Sequence, residues 1–257
     1  MAAVAASSTA VAAVIANSTA LNAVVSSSTA MTAVAASQTA MTAVAASQTA
    51  MAAVAASPTA MAAIWQSSTA VQAVQDNATA WSTFTGASSS VMGKTVAILA
   101  GLDPNSYADM TAVAASQTAM AAVAASSTAM TAVAASSRAM QAVAMAWNTT
   151  ESAITGSTVA MNALKNSGKC QTVSKDVSGA KSVSFITGLC FVFTAEITVS
   201  GGACYIEASR PTGGTTLSLC SSKTAATVNK FCKDPYVKCT NSSHSYASNK
   251  LYFYKIS

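Results

Sequence analysis

Charge is nearly missing from the first third of this chain. Before Lys94 the only charged side chain is Asp76, and Asp, Glu, Lys and Arg together make up 8% of the 257 residues. With so few cations there is no basic stripe for a phosphate backbone, and nucleic acid is not an expected partner. Large apolar side chains are also sparse before residue 170. Hydrophobic residues account for 52% of the chain, but alanine dominates them, and alanine buries little area. A broad globular core is therefore not expected there. Ser and Thr interrupt every apolar stretch well short of the roughly 18 residues that a spanning helix needs, which argues against membrane insertion. Met1-Ala2-Ala3-Val4 carries no basic stretch ahead of an apolar run, so no signal peptide is visible.

The groups that carry chemistry are missing too. Gly93-Lys94-Thr95 lacks the preceding Gly-x4 spacing of a phosphate-binding loop. The one histidine, His244, lies in the polar run Asn241-Ser242-Ser243-His244-Ser245 with no matched nucleophile or acid. There is no CxxC spacing, and with a single histidine no metal site is expected. No enzyme activity and no cofactor are expected.

A ten-residue repeat fills the space, Ser-x-Thr-Ala-Met-x-Ala-Val-Ala-Ala, cleanest at Ser37–Ala46 and Ser116–Ala125. Its methionine position runs through Met31, Met41, Met51 and Met61, with Val11 and Leu21 before and Val71 and Trp81 after. It returns one residue out of phase at Met110, Met120, Met130 and Met140, then shifts again to Glu151 and Met161. About sixteen units fit, the poor ones included. Met41 and Val44 are three apart, which puts them on one face of a helix and on opposite faces of a strand. The first position of the unit is Ser or Asn, both good helix N-caps, and Pro58 follows Ser57 at the N1 position where proline fits. One continuous helix would let the Met/Val stripe drift by about 80° per unit. Short capped helices of about two turns fit better, and helices that short must stack on something. Stacked one above another at about 8–10 Å per unit, they make a rod of order 150 Å. A β-solenoid is the alternative, since Thr and Val also favour strands.

The repeats thus divide into 1–84 and 106–168, with an irregular joint or insertion at 85–105 that holds Gly86, Gly93, Gly101 and Pro104. Simple decay of the repeat is the other explanation for that joint. From 169 to 257 the pattern becomes β. Phe191, Phe193, Ala195, Ile197 and Val199 alternate with Val192 and Thr194, and Cys204–Ala208, Thr215–Cys220 and Leu251–Ile256 read as further strands. Gly201-Gly202 and Pro211-Thr212-Gly213-Gly214 supply turns. The expectation is a small antiparallel β-sandwich or barrel. All six cysteines fall in it: Cys170, Cys190, Cys204, Cys220, Cys232 and Cys239. An even count in so small a domain points to three disulfides with their pairing open, and to an extracellular setting; buried thiols are the alternative. Tyr246, Tyr252 and Tyr254, with Lys250, are the candidate binding residues, because aromatic rings stack on sugars and the domain is modestly basic.

Decads such as Ser37-Gln38-Thr39-Ala40-Met41-Thr42-Ala43-Val44 resemble the Ser-x-Thr-Ala-Met-x-Ala-Val repeats of tailed-bacteriophage fibre proteins. The resemblance covers roughly residues 1–167. It implies a structural protein on the virion surface, in a tail, collar or head fibre. It implies a homotrimer that contacts other virion proteins, with a tip that meets a host-surface glycan or protein. A secreted or cell-surface adhesin, matrix or ice-binding repeat protein is the alternative.

Overall fold

The decads fold as helices because their first residue does two jobs at once. The computed structural model describes residues 1–177, 179–198, 204–221, 225–240 and 247–257. Val199, the Gly201-Gly202 turn, His244 and Tyr246 lie outside the described residues. In each early decad the leading Ser or Asn is extended, near φ −101° and ψ 113° at Ser47, and its side-chain oxygen accepts the backbone N–H three residues on. Asn17 takes Ala20 at 3.0 Å and Ser57 takes Ala60 at 3.2 Å. An extended residue between two helical ones turns the chain sharply. The axes of Ser8–Ala16 and Ser18–Ser26 meet at 105°, and those of Gln117–Ala125 and Ser127–Ala135 at 102°. Three such turns bring the chain back over itself.

The helices accordingly stack three apart. The first layer is α1 (Ala2–Ala5), α2 (Ser8–Ala16) and α3 (Ser18–Ser26). The second is α4 (Ser28–Ala35), α5 (Gln38–Ala46) and α6 (Gln48–Ala55). The third is α7 (Pro58–Trp65), α8 (Ser68–Gln75) and α9 (Ala78–Thr85). α4 packs on α1, α5 on α2, α6 on α3, and the third layer repeats this on the second. The capping serine is the rivet. While accepting from its own helix, Ser37 donates its hydroxyl to Ala5 O at 2.6 Å, Ser57 to Val25 O at 2.6 Å and Ser67 to Ala35 O at 2.7 Å, each 32 residues back. Those carbonyls close the last turns of helices one turn of the coil back, where intrahelical partners run out. In α5, Ala40, Met41, Val44 and Ala45 sit inside the triangle, while Gln38, Thr39, Thr42 and Ala46 face solvent.

Ser57→Ala removes the cap acceptor and the interlayer donor together. We expect a loss of about 2 kcal/mol, roughly 1 from each bond. Urea unfolding followed by circular dichroism at 222 nm checks it.

The rod expectation is corrected in one respect. A layer rises by about one helix-packing distance, roughly 8–10 Å, but three decads share it. The rise per decad is a third of the expected one. The β-solenoid alternative is excluded, because every decad is helical.

The joint at 85–105 is built from ordered elements. It holds α10 (Ser89–Leu99), which packs on α7 and so keeps the three-apart rule, and a short 3-10 turn, Pro104–Ser106. Then α11 (Met110–Ala115), α12 (Gln117–Ala125) and α13 (Ser127–Ala135) resume the decads, and α13 packs on α10. Ser126 donates to Leu99 O at 2.9 Å, repeating the rivet across the insertion. Gly93 makes the crossing possible. A Cβ there would lie 2.5 Å from Met110 N and 2.6 Å from Asp109 O, and closer still to the Asp109 carbonyl carbon.

Two compact units result, Met1–Ala139 and Met140–Ser257. The change from helix to strand falls near residue 169, but the packing boundary falls inside α14 (Ser137–Met145). α15 (Trp147–Thr155) and α16 (Thr158–Lys165) therefore belong to the sheet unit.

That sheet is single, open and antiparallel, which corrects the sandwich-or-barrel expectation. Its strands are β1 (Cys170–Val177), β2 (Ser182–Ser184), β3 (Leu189–Ile197), β4 (Cys204–Ser209), β5 (Thr216–Ser221), β6 (Ala225–Cys239) and β7 (Ala247–Lys255). The order is β1-β7-β3-β6-β4-β5, with β2 also paired to β6. One face carries Val192, Ile197, Ile206, Cys220, Leu251 and Phe253, and the sheet curls over this face, since β3 approaches β5 and β1 approaches β2 without being neighbours. The other face carries Phe191, Phe193, Phe231 and Tyr254 and meets the helices. That is why Leu189–Phe193 is buried without alternation.

The cysteine expectation is met in part. Cys204 and Cys239, opposite one another on β4 and β6, form a disulfide that closes 35 residues. Cys170, Cys190, Cys220 and Cys232 are thiols, so three disulfides are not present.

Candidate functional site

Two clusters in the sheet unit bring charged and aromatic side chains together. The first is built around a carboxylate at a position the repeat reserves for methionine. α15 turns Glu151 toward the sheet, where it is 9% exposed. Arg210 Nη1 donates to Oε2 at 2.6 Å, the Phe231 N–H to the same oxygen at 3.0 Å, and Lys230 Nζ to Oε1 at 2.9 Å. Arg210 also donates to Phe231 O at 3.3 Å and lies over the Trp147 ring, 4.0 Å from its centre. The Trp147 indole N–H donates to Thr212 Oγ1 at 2.9 Å. Both oxygens of the carboxylate are engaged by the protein, and the arrangement holds a helix to a sheet.

The second cluster lies where α16 meets β1, β7 and β3. Tyr252 and Phe193 stack at 5.0 Å between centres and 29° between planes. Lys165 Nζ sits 5.7 Å over the Phe193 ring, and Lys169 Nζ 6.0 Å from the centre of Tyr254. The Cys170 thiol donates to Leu164 O at 3.3 Å and neighbours the Tyr252 hydroxyl. Burial pushes the Cys170 thiol up, against the downward pull of Tyr252, Ser167 and Lys165. A thiol held protonated is a poor nucleophile. Burial also lowers Lys169 and, with the Cys170 contact, raises Tyr252.

Of the candidate binding residues, this cluster contains two. Tyr252 is half-buried, with one ring face against Phe193. Tyr254 is fully buried, its hydroxyl pushed far up by burial and then by Cys170, so it is a core residue and not a ligand contact. Lys250 is exposed on β7, opposite Ser174 on β1 and Glu196 on β3. Tyr246 lies outside the described residues. The structure thus brings Tyr252 and Lys250 to one face of one strand, at alternate positions.

Sequence reasoning passed over Glu151, Arg210, Lys230 and Trp147. One signal was present: a carboxylate in the methionine register is out of character with every other decad. Phe193 was assigned to a strand but not to the Tyr252 stack, which depends on the β3–β7 pairing.

In the helical unit, the first layer ends in an apolar mouth lined by Met1, Val4, Val14, Ile15 and Val24, around a cavity of about 30 Å³. Among the described residues no group of three or more His, Cys, Asp or Glu is placed to hold a metal ion. No single helix among them is long and apolar enough to cross a membrane. No protein-family model matches the chain, and no curated protein matches it.

Proposed function

We propose that this chain is a structural component of a bacteriophage fibre, in which the helical coil is a stiff spacer and the sheet unit is the part that meets a host surface or anchors the fibre to the particle. The observation that carries the reading is the serine rivet joining Ser37, Ser57 and Ser67 to carbonyls one turn of the coil back. It locks successive layers of an uncharged repeat into one continuous stack, which suits a load-bearing spacer and offers nothing for catalysis. The decad wording of fibre proteins supports the same reading. Among the described residues, the sheet unit offers the chemical variety for recognition, with Tyr252 and Lys250 on one face.

The resemblance implies a homotrimer, but the Met and Val side chains of the repeat are covered within a single chain and do not themselves call for sister copies. We therefore expect light scattering to give the mass of one chain for the purified full-length protein. A threefold mass returns the trimer, with contacts outside the coil's interior.

Imaging of particles labelled with an antibody to residues 140–257 tests the function, together with competition between purified protein and particles for host adsorption. Label at an appendage tip and reduced adsorption support a host-contacting role. Label at the appendage base without competition assigns the sheet unit to anchoring. No label on any particle, or ice-growth inhibition by the purified protein, overturns the phage reading.

A further inference from the structure

We propose that Cys190 and Cys232 are a second disulfide site, closed across β3 and β6 by a small-molecule disulfide oxidant of the glutathione class. The inference goes beyond the fibre reading and does not depend on it. Cys190 and Cys232 are directly opposite in the β3–β6 register, as Cys204 and Cys239 are in the β4–β6 register. Their sulfurs are 3.4 Å apart, and both residues are fully buried. A bonded pair sits at roughly 2 Å, so the remaining approach is a small side-chain rotation, with the backbone already paired. Cys170 faces Tyr254 and Cys220 faces Ile206 across their ladders.

The chemistry balances in two exchanges. The thiolate of one cysteine attacks a sulfur of oxidised glutathione and expels one glutathione thiolate. The second cysteine thiolate attacks the protein sulfur of that mixed disulfide and expels the other. Two protein thiols lose two protons and two electrons, and one glutathione disulfide becomes two glutathione thiols. The core has no room for a glutathione adduct. The thiol-to-thiol contact, and then burial, also raise Cys190 well above its ordinary range, so thiolate is scarce once the sheet has closed. Closure therefore belongs to the folding chain or to an opened sheet, before the pair is sealed.

The consequence is a sheet whose long strand β6 is tied on both sides, to β3 by a bond spanning 42 residues and to β4 by one spanning 35. The test uses the full chain, refolded from the reduced, denatured state in a mixture of oxidised and reduced glutathione. Remaining thiols are blocked with iodoacetamide under denaturing conditions, and non-reduced peptides are mapped. Trypsin separates Cys232 from Cys239 at Lys233 and Lys238, and chymotrypsin separates Cys190 from Cys204 at Phe191 or Phe193. The expected result is a Cys190 peptide joined to a Cys232 peptide, with Cys170 and Cys220 alkylated. Alkylated Cys190 and Cys232 beside an intact Cys204–Cys239 bond overturn the proposal, as does Cys190 joined to any other cysteine. Cys190→Ser gives a second reading. Its thermal midpoint should fall further below the unsubstituted protein after oxidative refolding than after refolding in excess dithiothreitol. An equal gap in both conditions assigns the cost to packing and overturns the bond.

Discussion

Replacing Glu151 by alanine should destabilise the sheet unit by about 3–5 kcal/mol, the range for removing one partner from a buried ion pair. The size follows from what is left behind. The Arg210 side chain is only 12% exposed, and without Glu151 its charge keeps one carbonyl, Phe231 O, and the Trp147 ring. The Phe231 N–H, in a fully buried residue, loses its acceptor as well. Lys230 matters less, because 44% of its side chain is exposed and water replaces the lost contact. Lys230→Ala should therefore cost no more than about 1 kcal/mol, and Arg210→Ala should fall nearer to Glu151→Ala. Glu151→Gln keeps an oxygen for the Phe231 N–H and should lie between. Glu151→Met is the sharper comparison, since it restores the residue of the repeat but strands the guanidinium, and should rescue little. Urea unfolding of the full-length variants, read by near-ultraviolet circular dichroism of the sheet aromatics, measures all five. Equal, small losses at Glu151, Arg210 and Lys230 would show that the cluster is solvated rather than buried.

The helix caps, Pro58 and the register of Met41 with Val44 were legible in the sequence because they are local. Each depends on contacts within four residues. The three-apart stacking was not legible. It is set by the angle at the extended serine and by a hydroxyl that finds a carbonyl 32 residues away, and neither has a signature in a ten-residue period. Missing it made the rod too long. Among the described residues the β pattern after residue 169 was read as strands and is strands, but alternation cannot tell one curled sheet from two stacked ones. The continuous burial of Leu189–Phe193 carried the information that both faces are covered, here by helices on one side. The burial of Tyr254 was hidden for a related reason. Tyr252 and Tyr254 share a strand face, and only the position of the helices decides that one is half-exposed and the other sealed. Opposed cysteines were equally hidden, because strand order brings Cys190 to Cys232, not spacing along the chain.

Gly93→Ala should cost about 3 kcal/mol or more, at or beyond the upper end of the range for forcing one extra carbon into a packed site. Away from crowding, alanine in the middle of an 11-residue helix would be favoured over glycine by about 1 kcal/mol. The sign is reversed because the added carbon meets backbone: Asp109 and Met110, which open α11, already fill the space. Backbone cannot rotate away as a side chain can, so α10 and α11 must separate. Separation loosens Met92, Val96 and Met110, all fully buried. It also pulls at the bond between Ser126 and Leu99 O, which carries the stack past the joint. Damage should therefore spread to α11–α13 and leave α1–α6 protected. Hydrogen exchange on the variant reads this directly, with faster exchange at 110–135 and unchanged rates at 28–55. A variant as stable as the parent would mean that α10 and α11 do not cross at Gly93.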